Sequence, residues 1–251
     1  MRLTQPISIT LLGHGRLGSA LAEGWRLTGA ARPTILTRAE EPVCPTDTAA
    51  LVIAVKPASW REAVSPLAAS LSTSAIIISV MAGVRAADIA AVLDRPVARV
   101  MPTTAVAQAQ GVAAIWSEEA DARALAHALF DPIADTVDLD TEALLDPATA
   151  VAGSAPAFFH ALAQALAAAG AEAGLPRDAA ERLARGALRS AGAGAATEAS
   201  LDQLIARIAS PGGTTRAGLD ALDRAGLAGA ANAAVAAAVA RARALAGDQP
   251  A

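Results

Sequence analysis

The sequence predicts an α/β protein: a doubly wound, mostly parallel sheet domain followed by an all-helical domain. Three observations predict it. A Gly-x-Gly-x-x-Gly run, Gly13 to Gly18, stands between an apolar strand and an amphipathic helix. Near-continuous apolar strands then alternate with helical stretches, the pattern of a sheet covered on both faces. Near Asp146-Pro147 the β-branched runs stop, and only Ala/Leu-rich helical periodicity remains. The boundaries expected are 1–146 for the sheet domain and 147–251 for the helical one.

The first strand is Ile7–Leu12 and the helix after the glycines is Leu17–Leu27. The glycines permit a tight turn, close approach of backbone to a pyrophosphate, and close helix–strand packing, which makes the domain Rossmann-like. Gly13, His14, Gly15, Arg16, Leu17 and Gly18 are therefore candidate dinucleotide-binding residues, His14 through its backbone; a plain strand–turn–helix is the competing reading. Further strands are expected at Thr34–Thr37, Leu51–Val55, Ala75–Val80, Val97–Met101, Ala113–Trp116 and Thr136–Asp138. Helices fit at Ser59–Ser70, Ala86–Leu93 and Glu118–Phe130. Arg38–Thr48 is short and broken by proline, and reads as a loop.

The second strand ends Ile35-Leu36-Thr37-Arg38, with no acid at its tip to hold a ribose 2′-hydroxyl. Thr37 and Arg38 suit a 2′-phosphate instead, so NADPH is expected in preference to NADH, with NADH still possible. Arg38 as a solvated loop residue is the other reading, and Glu40 and Glu41 stand close by.

In the helical domain the stretches are Ala148–Ala173, Arg177–Ala193, Leu201–Ile208, Thr214–Ala225 and Ala228–Ala246. Gly174-Leu175-Pro176 stops one helix and Arg177-Asp178 opens the next. Alanine-rich faces allow close approach but give little side-chain volume, so such helices gain most by interlocking with a partner. A homodimer, or a larger assembly of dimers, is expected through this domain.

Composition excludes several classes. A formal charge of −4 on 251 residues argues against nucleic acid or an acidic membrane as partner. The lone Cys44 cannot form an internal disulfide, which fits a cytoplasmic protein, and no motif around it marks a nucleophile. No leader peptide is visible, and the apolar run Ile76–Met81 is far shorter than the about 20 residues a bilayer needs. His14, His127 and His160 form no metal-ligand spacing, so no metal is expected. Lys56 is the only lysine and tyrosine is absent, which removes mechanisms that need a Tyr acid or a Lys acid on a later helix.

The run Ser210-Pro211-Gly212-Gly213-Thr214-Thr215 directly precedes a helical stretch. Backbone N–H groups and hydroxyls converge there at the positive end of a helix dipole, a setting that suits a carboxylate. A helix cap after a Pro-Gly turn is the simpler reading.

Taken in order, several segments resemble the pyrroline-5-carboxylate reductase family. They are the glycine run, Val55-Lys56-Pro57, Ile78-Ser79-Val80-Met81-Ala82-Gly83, Arg99-Val100-Met101-Pro102-Thr103-Thr104, Gly153-Ser154-Ala155-Pro156-Ala157-Phe158, and Ser210 to Thr215. The resemblance extends from about Ile7 to Leu245. It implies a nucleotide-binding domain, a helical domain that dimerises by interlocking, and an active site between the domains that is completed across the dimer. The reaction implied is hydride transfer from NAD(P)H to the C=N carbon of a cyclic imine carrying a carboxylate, giving L-proline. Val55, Lys56, Pro57 and Ala82 are then further cofactor-binding residues. Ser210, Gly212, Gly213, Thr214, Thr215 and Glu198 would bind substrate, with the N–H groups of Gly213, Thr214 and Thr215 on its carboxylate. Thr215 is implied as the catalytic group at the imine nitrogen.

Thr103, Ala155 and Phe158 depart from the family pattern, which has Asn, Gly and Tyr there. Two-domain reductases that use a catalytic lysine in the helical domain are excluded, since no lysine lies there. Two alternatives stay open: a diverged reductase of another cyclic imine, such as a six-membered ring, and a non-catalytic dimeric cofactor-binding protein.

Overall fold

The computed structural model describes residues 7–37 and 43–247. Arg38, one of the expected 2′-phosphate residues, lies outside them, as do Glu40 and Glu41. The strands are β1 Ile9–Leu12, β2 Thr34–Leu36, β3 Ala50–Ile53, β4 Ile76–Ser79, β5 Val97–Pro102, β6 Gly111–Trp116 and β7 Ala134–Asp138. They form one sheet in the order β2-β1-β3-β4-β5-β6-β7. Every pairing is parallel except β5 with β6. That exception follows from a connection too short for a crossover helix. A single 3-10 turn, Thr104–Gln108, joins the two strands, and Ala109 closes it at φ 54°.

Both faces of the sheet are covered, as apolar strands require. One face packs Ile9, Leu11, Val52 and Ile78 against Leu21 and Trp25 of α1 (Arg16–Thr28) and Leu129 and Phe130 of α4 (Ala120–Phe130). Trp25 donates its indole N–H to the Leu129 carbonyl at 2.7 Å and meets the Phe130 ring edge-on. The polar end of the buried ring is thus satisfied. The other face packs Leu51, Ile53 and Ile77 against Trp60 and Val64 of α2 (Trp60–Val64) and Ile89 and Leu93 of α3 (Ala86–Leu93). Cys44 is buried in this second face, and burial pushes its thiol pKa up, as befits an inert small apolar group.

The expected helix over Ser59–Ser70 is only partly formed. It divides into the 3-10 turn Pro57–Ser59, α2, and a second 3-10 turn Ser65–Leu67. Pro66 has no N–H to give and its ring crowds the carbonyl of Glu62, which ends α2.

The helical part comprises α5 Leu145–Ala148, α6 Ala155–Glu172, α7 Arg177–Ala195, α8 Leu201–Ile208, α9 Thr214–Arg224 and α10 Leu227–Gly247. The expected start of α6 at Ala148 is replaced by a π-helical segment, Thr149–Ser154. Pro156 explains the widening: in an α-helix its ring would clash with the carbonyl of Ala152. Two compact units result, Met1–Gly153 with Ala237–Ala251, and Ser154–Ala236. The strands end before Asp146-Pro147, but packing continues to Gly153. Leu145 and Ala150 are buried, and Arg243 pairs with Asp146 at 3.5 Å.

Among the described residues one stretch, Glu142–Glu172, is long and apolar enough to cross a membrane by length and composition, and it is mostly exposed in the single chain. It carries Asp146, His160 and Gln164 along with two prolines.

Candidate functional site

The described site residues expected in the first unit fall at the carboxyl ends of four neighbouring strands. The strand order reverses between β1 and β3, so the crevice above them is the switch point where ligands enter such sheets. The glycine loop leaves β1 there. Gly13 has φ 100°, and a Cβ on it would stand 2.7 Å from the Ala54 carbonyl oxygen. Only glycine fits. A Cβ on Gly18 would overlap the Gly13 carbonyl, so Gly18 lets α1 back directly onto the loop. Gly15 differs from both: nothing lies within 4 Å of its missing Cβ, and it is the N-cap of α1. Its open side is where a ligand can approach backbone.

The start of α1 is electrostatically unfinished. Its N-cap has no side-chain hydrogen bond and its first turn has no acid. Arg16, the first helical residue, is exposed and places a positive charge at the positive end of the dipole. An anion seated there removes both penalties. The N–H groups of Arg16 and Leu17 have no partner among the described residues. The side chain of Leu17 packs on the core, so Leu17 can offer a ligand only its backbone. His14 is exposed, and its carbonyl accepts from the Ser19 hydroxyl at 3.3 Å.

The neighbouring strand ends complete the group. The Gly13 N–H donates to the Leu36 carbonyl at 3.0 Å, which fixes the end of β2 beside the glycine loop and leaves exposed Thr37 as its next residue. Beyond β3, Val55 packs partly on the second core, Lys56 is exposed, and Pro57 opens the 3-10 turn that Lys56 caps. Beyond β4, Ala82 and Gly83 form a turn with Gly83 at φ 75°. These residues fit a dinucleotide: a glycine cradle, an uncapped helix start, and backbone at three adjacent strand ends.

In the second unit, Ser210 to Gly213 make a turn in which the Gly213 N–H donates to the Ser210 carbonyl at 3.1 Å. Pro211 sits second and Gly212 third with φ 71°, the signature of a type II turn. This corrects one expectation: the Gly213 N–H is occupied by the turn and cannot also hold a carboxylate. Gly213 is instead the N-cap of α9, and a Cβ on it would stand 2.6 Å from the Ser210 hydroxyl. The N–H groups of Thr214, Thr215 and Arg216 have no partner among the described residues, nor do the two threonine hydroxyls. As in α1, no side chain caps the helix, no acid lies in its first turn, and an arginine does. By contrast α8 is closed by a full capping box between Ser200 and Gln203. Arg216 is thus a candidate that composition and spacing miss; an arginine where the dipole disfavours it is the signal that reveals it.

Glu198 is exposed in the connection between α7 and α8, and among the described residues no hydrogen bond or ion pair joins it to the Ser210–Thr215 turn. Cavities on the second unit, lined by Arg182, Arg185 and Arg189 or by Leu166, Leu175 and Leu183, include none of the expected site residues. No cluster of three or more metal-ligating side chains occurs among the described residues.

Comparison with known proteins bears on both units. The family model for pyrroline-5-carboxylate reductase dimerisation matches residues 142–245. A pyrroline-5-carboxylate reductase of Pseudomonas aeruginosa is 31% identical over 238 residues, covering 84% of this chain and 86% of its own. One of Thermus thermophilus is 40% identical over 156 residues, covering 58% and 57%. The crystal structure of a pyrroline-5-carboxylate reductase from Coxiella burnetii superposes with a TM-score of 0.86 at 25% identity, covering 96% of this chain and 99% of that one. The Plasmodium falciparum enzyme, determined with NADP bound, shares the fold with a TM-score of 0.78 at 22% identity over 96% and 98% of the two chains. On this similarity along nearly its whole length, the chain belongs to the pyrroline-5-carboxylate reductase family.

Proposed function

We propose that the protein reduces 1-pyrroline-5-carboxylate to L-proline, with NADPH as the preferred reductant. The observation that carries the reading is the start of α9. There a Pro-Gly turn leaves three backbone donors and two hydroxyls open beneath an arginine, in a chain of this family. A carboxylate held by the N–H groups of Thr214, Thr215 and Arg216 gains charge-assisted hydrogen bonds and the helix dipole together. In the substrate the imine nitrogen and the carboxylate share one ring carbon, so Thr215 can hold the carboxylate through its N–H and reach the nitrogen through its hydroxyl.

A nicotinamide cofactor bound at the glycine cradle supplies the hydride that the C=N carbon receives. The chain's own part is orientation and charge. Gly13, Gly15 and Gly18 bring backbone to the pyrophosphate, with the N–H groups of Arg16 and Leu17 as donors and the Arg16 side chain adding positive charge. Lys56, Pro57 and Ala82 border the same crevice. As the C=N double bond becomes a single bond, the nitrogen must end protonated. A threonine hydroxyl is a poor acid, so Thr215 positions an already protonated iminium or relays a proton from water. Most of the acceleration then comes from holding the reacting atoms in line.

The preference for NADPH rests on the strand tip beside Gly13, where Thr37 stands and, among the described residues, no acid does. Two copies of the chain are inferred to pair through the helical unit. Phe158, Phe159, Leu162 and Leu166 on α6, and Ile205 and Ile208 on α8, are exposed in the single chain, and the dimerisation model matches this region. Such pairing also gives the apolar stretch Glu142–Glu172 a protein partner.

The test is to incubate purified protein with NADPH and either pyrroline-5-carboxylate or its six-membered homologue, and to identify the product by chiral chromatography. L-proline formed at the faster rate supports the reading. Faster reduction of the six-membered ring makes the chain a reductase of another imine, and turnover of neither makes it a binding protein.

A further inference from the structure

We infer that an ion pair between buried Arg99 and half-buried Glu142 positions the cofactor-facing loop between β4 and α3 by clamping both of its ends. This rests on the reading of the strand ends as a cofactor cradle. The loop contains Met81, Ala82 and Gly83, and Gly83 takes a left-handed conformation. Arg99 projects from β5, whose register sets it beside Ser79, the last residue of β4. Its Nη2 donates to the Met81 carbonyl at 3.3 Å, and its Nη1 donates to Glu142 Oε1 at 3.0 Å. The same Oε1 accepts the N–H of Ala86, the first residue of α3, at 2.7 Å. One ion pair therefore holds the carbonyl where the loop begins and the amide where it ends. Neither partner belongs to the loop.

Stability alone is a poor reason for this arrangement. Arg99 is 5% exposed, and its Nε is buried with no hydrogen-bond partner. A buried guanidinium with an unused donor carries a desolvation cost that an apolar side chain of similar size would avoid. What the pair supplies is geometry. Arg99 can reach two acceptors at once because its guanidinium is a rigid fork, and a point-charge lysine cannot do the same. Arg99 and Glu142 are positioning residues. They act on the cofactor through Met81 to Ala86.

The experiment compares the full-length protein with Arg99→Met, Glu142→Ala and Glu142→Gln. NADPH affinity is measured by calorimetry, the imine KM by steady-state kinetics, and unfolding by heating. Arg99→Met and Glu142→Ala should weaken NADPH binding on the order of 10-fold, the scale of a lost charge-assisted contact. The imine KM should not move. Glu142→Gln keeps the shared oxygen but loses its charge, and should bind NADPH more tightly than Glu142→Ala and less tightly than the wild type. If Arg99→Met does not fold, Glu142→Ala decides alone, since its side chain is a quarter exposed. A lower unfolding temperature with unchanged NADPH affinity would show a merely structural pair and overturn the inference. Wild-type protein that fails to bind NADPH would overturn the cofactor reading itself; firm wild-type binding matched by both variants overturns this inference only.

Discussion

The carbonyl oxygen of Gly13 occupies the space that a Cβ on Gly18 would need. The first turn of α1 therefore closes on the end of β1 only while residue 18 is glycine. Gly18→Ala should displace the loop and lower NADPH affinity by at least about 10-fold, because backbone cannot yield to the added methyl. Gly15→Ala separates packing from ligand approach. Its Cβ would meet nothing, so unfolding temperature should stay at the wild-type value while NADPH affinity falls. Calorimetric titration beside thermal unfolding checks both variants.

Thr215→Ala should lower turnover on the order of 10–1000-fold and leave NADPH affinity unchanged. The backbone donors of α9 remain in this variant, so the imine KM should change less than kcat. Because no side chain caps α9, unfolding should stay close to the wild type, and a variant that turns over normally would remove the catalytic role of Thr215. Gly213→Val acts by a different route: its side chain would press on the Ser210 hydroxyl and spoil the turn that exposes the donors. A raised imine KM with near-normal cofactor affinity is expected. Rates and unfolding measured on the same samples separate these outcomes.

Arg38→Ala should raise the KM for NADPH much more than that for NADH. The Gly13 to Leu36 hydrogen bond fixes the strand tip from which Thr37 and Arg38 follow. Equal effects on the two cofactors would remove the 2′-phosphate assignment.

On the far edge of the sheet, His127 of α4 is held between Asp131 at 2.9 Å and Asp138 of β7 at 3.3 Å. The hydrogen bond to Asp131 pushes its pKa above the usual histidine value; partial burial opposes this, and Asp138 adds to the rise. A pKa raised on folding means that the protonated ring stabilises the native state. That contribution is fully present below the unfolded value of about 6.5 and is lost as pH rises through the folded value. His127→Gln should remove this part of the pH dependence. Unfolding temperatures of both proteins across that window check it, and parallel profiles would contradict it.

Much of the fold is legible in the sequence because its apolar strands are bounded by glycine and proline. The glycine cradle is legible because Gly13 and Gly18 answer steric demands that strand–turn–helix packing makes, while Gly15 leaves its side open to a ligand. Three features are not. The occupation of the Gly213 N–H depends on the turn closing onto Ser210, which residue types do not reveal. The Arg99–Glu142 pair joins distant segments, and each residue alone reads as a surface charge. The break in α2 depends on Pro66 acting in the middle of a periodic run. The arginines at the starts of α1 and α9 are visible in the sequence, but their meaning emerges only once the helix boundaries are known.

The central claim, that this chain moves a hydride from its cradle-bound cofactor to a carboxylate-bearing cyclic imine, is tested most directly by isotope transfer. Purified protein is given pyrroline-5-carboxylate and NADPH deuterated at the transferable position of its nicotinamide, and the product is analysed by mass spectrometry and NMR. The account predicts L-proline carrying one deuterium on the ring carbon that was doubly bonded to nitrogen. Unlabelled proline, or no proline while the cofactor remains reduced, would contradict it.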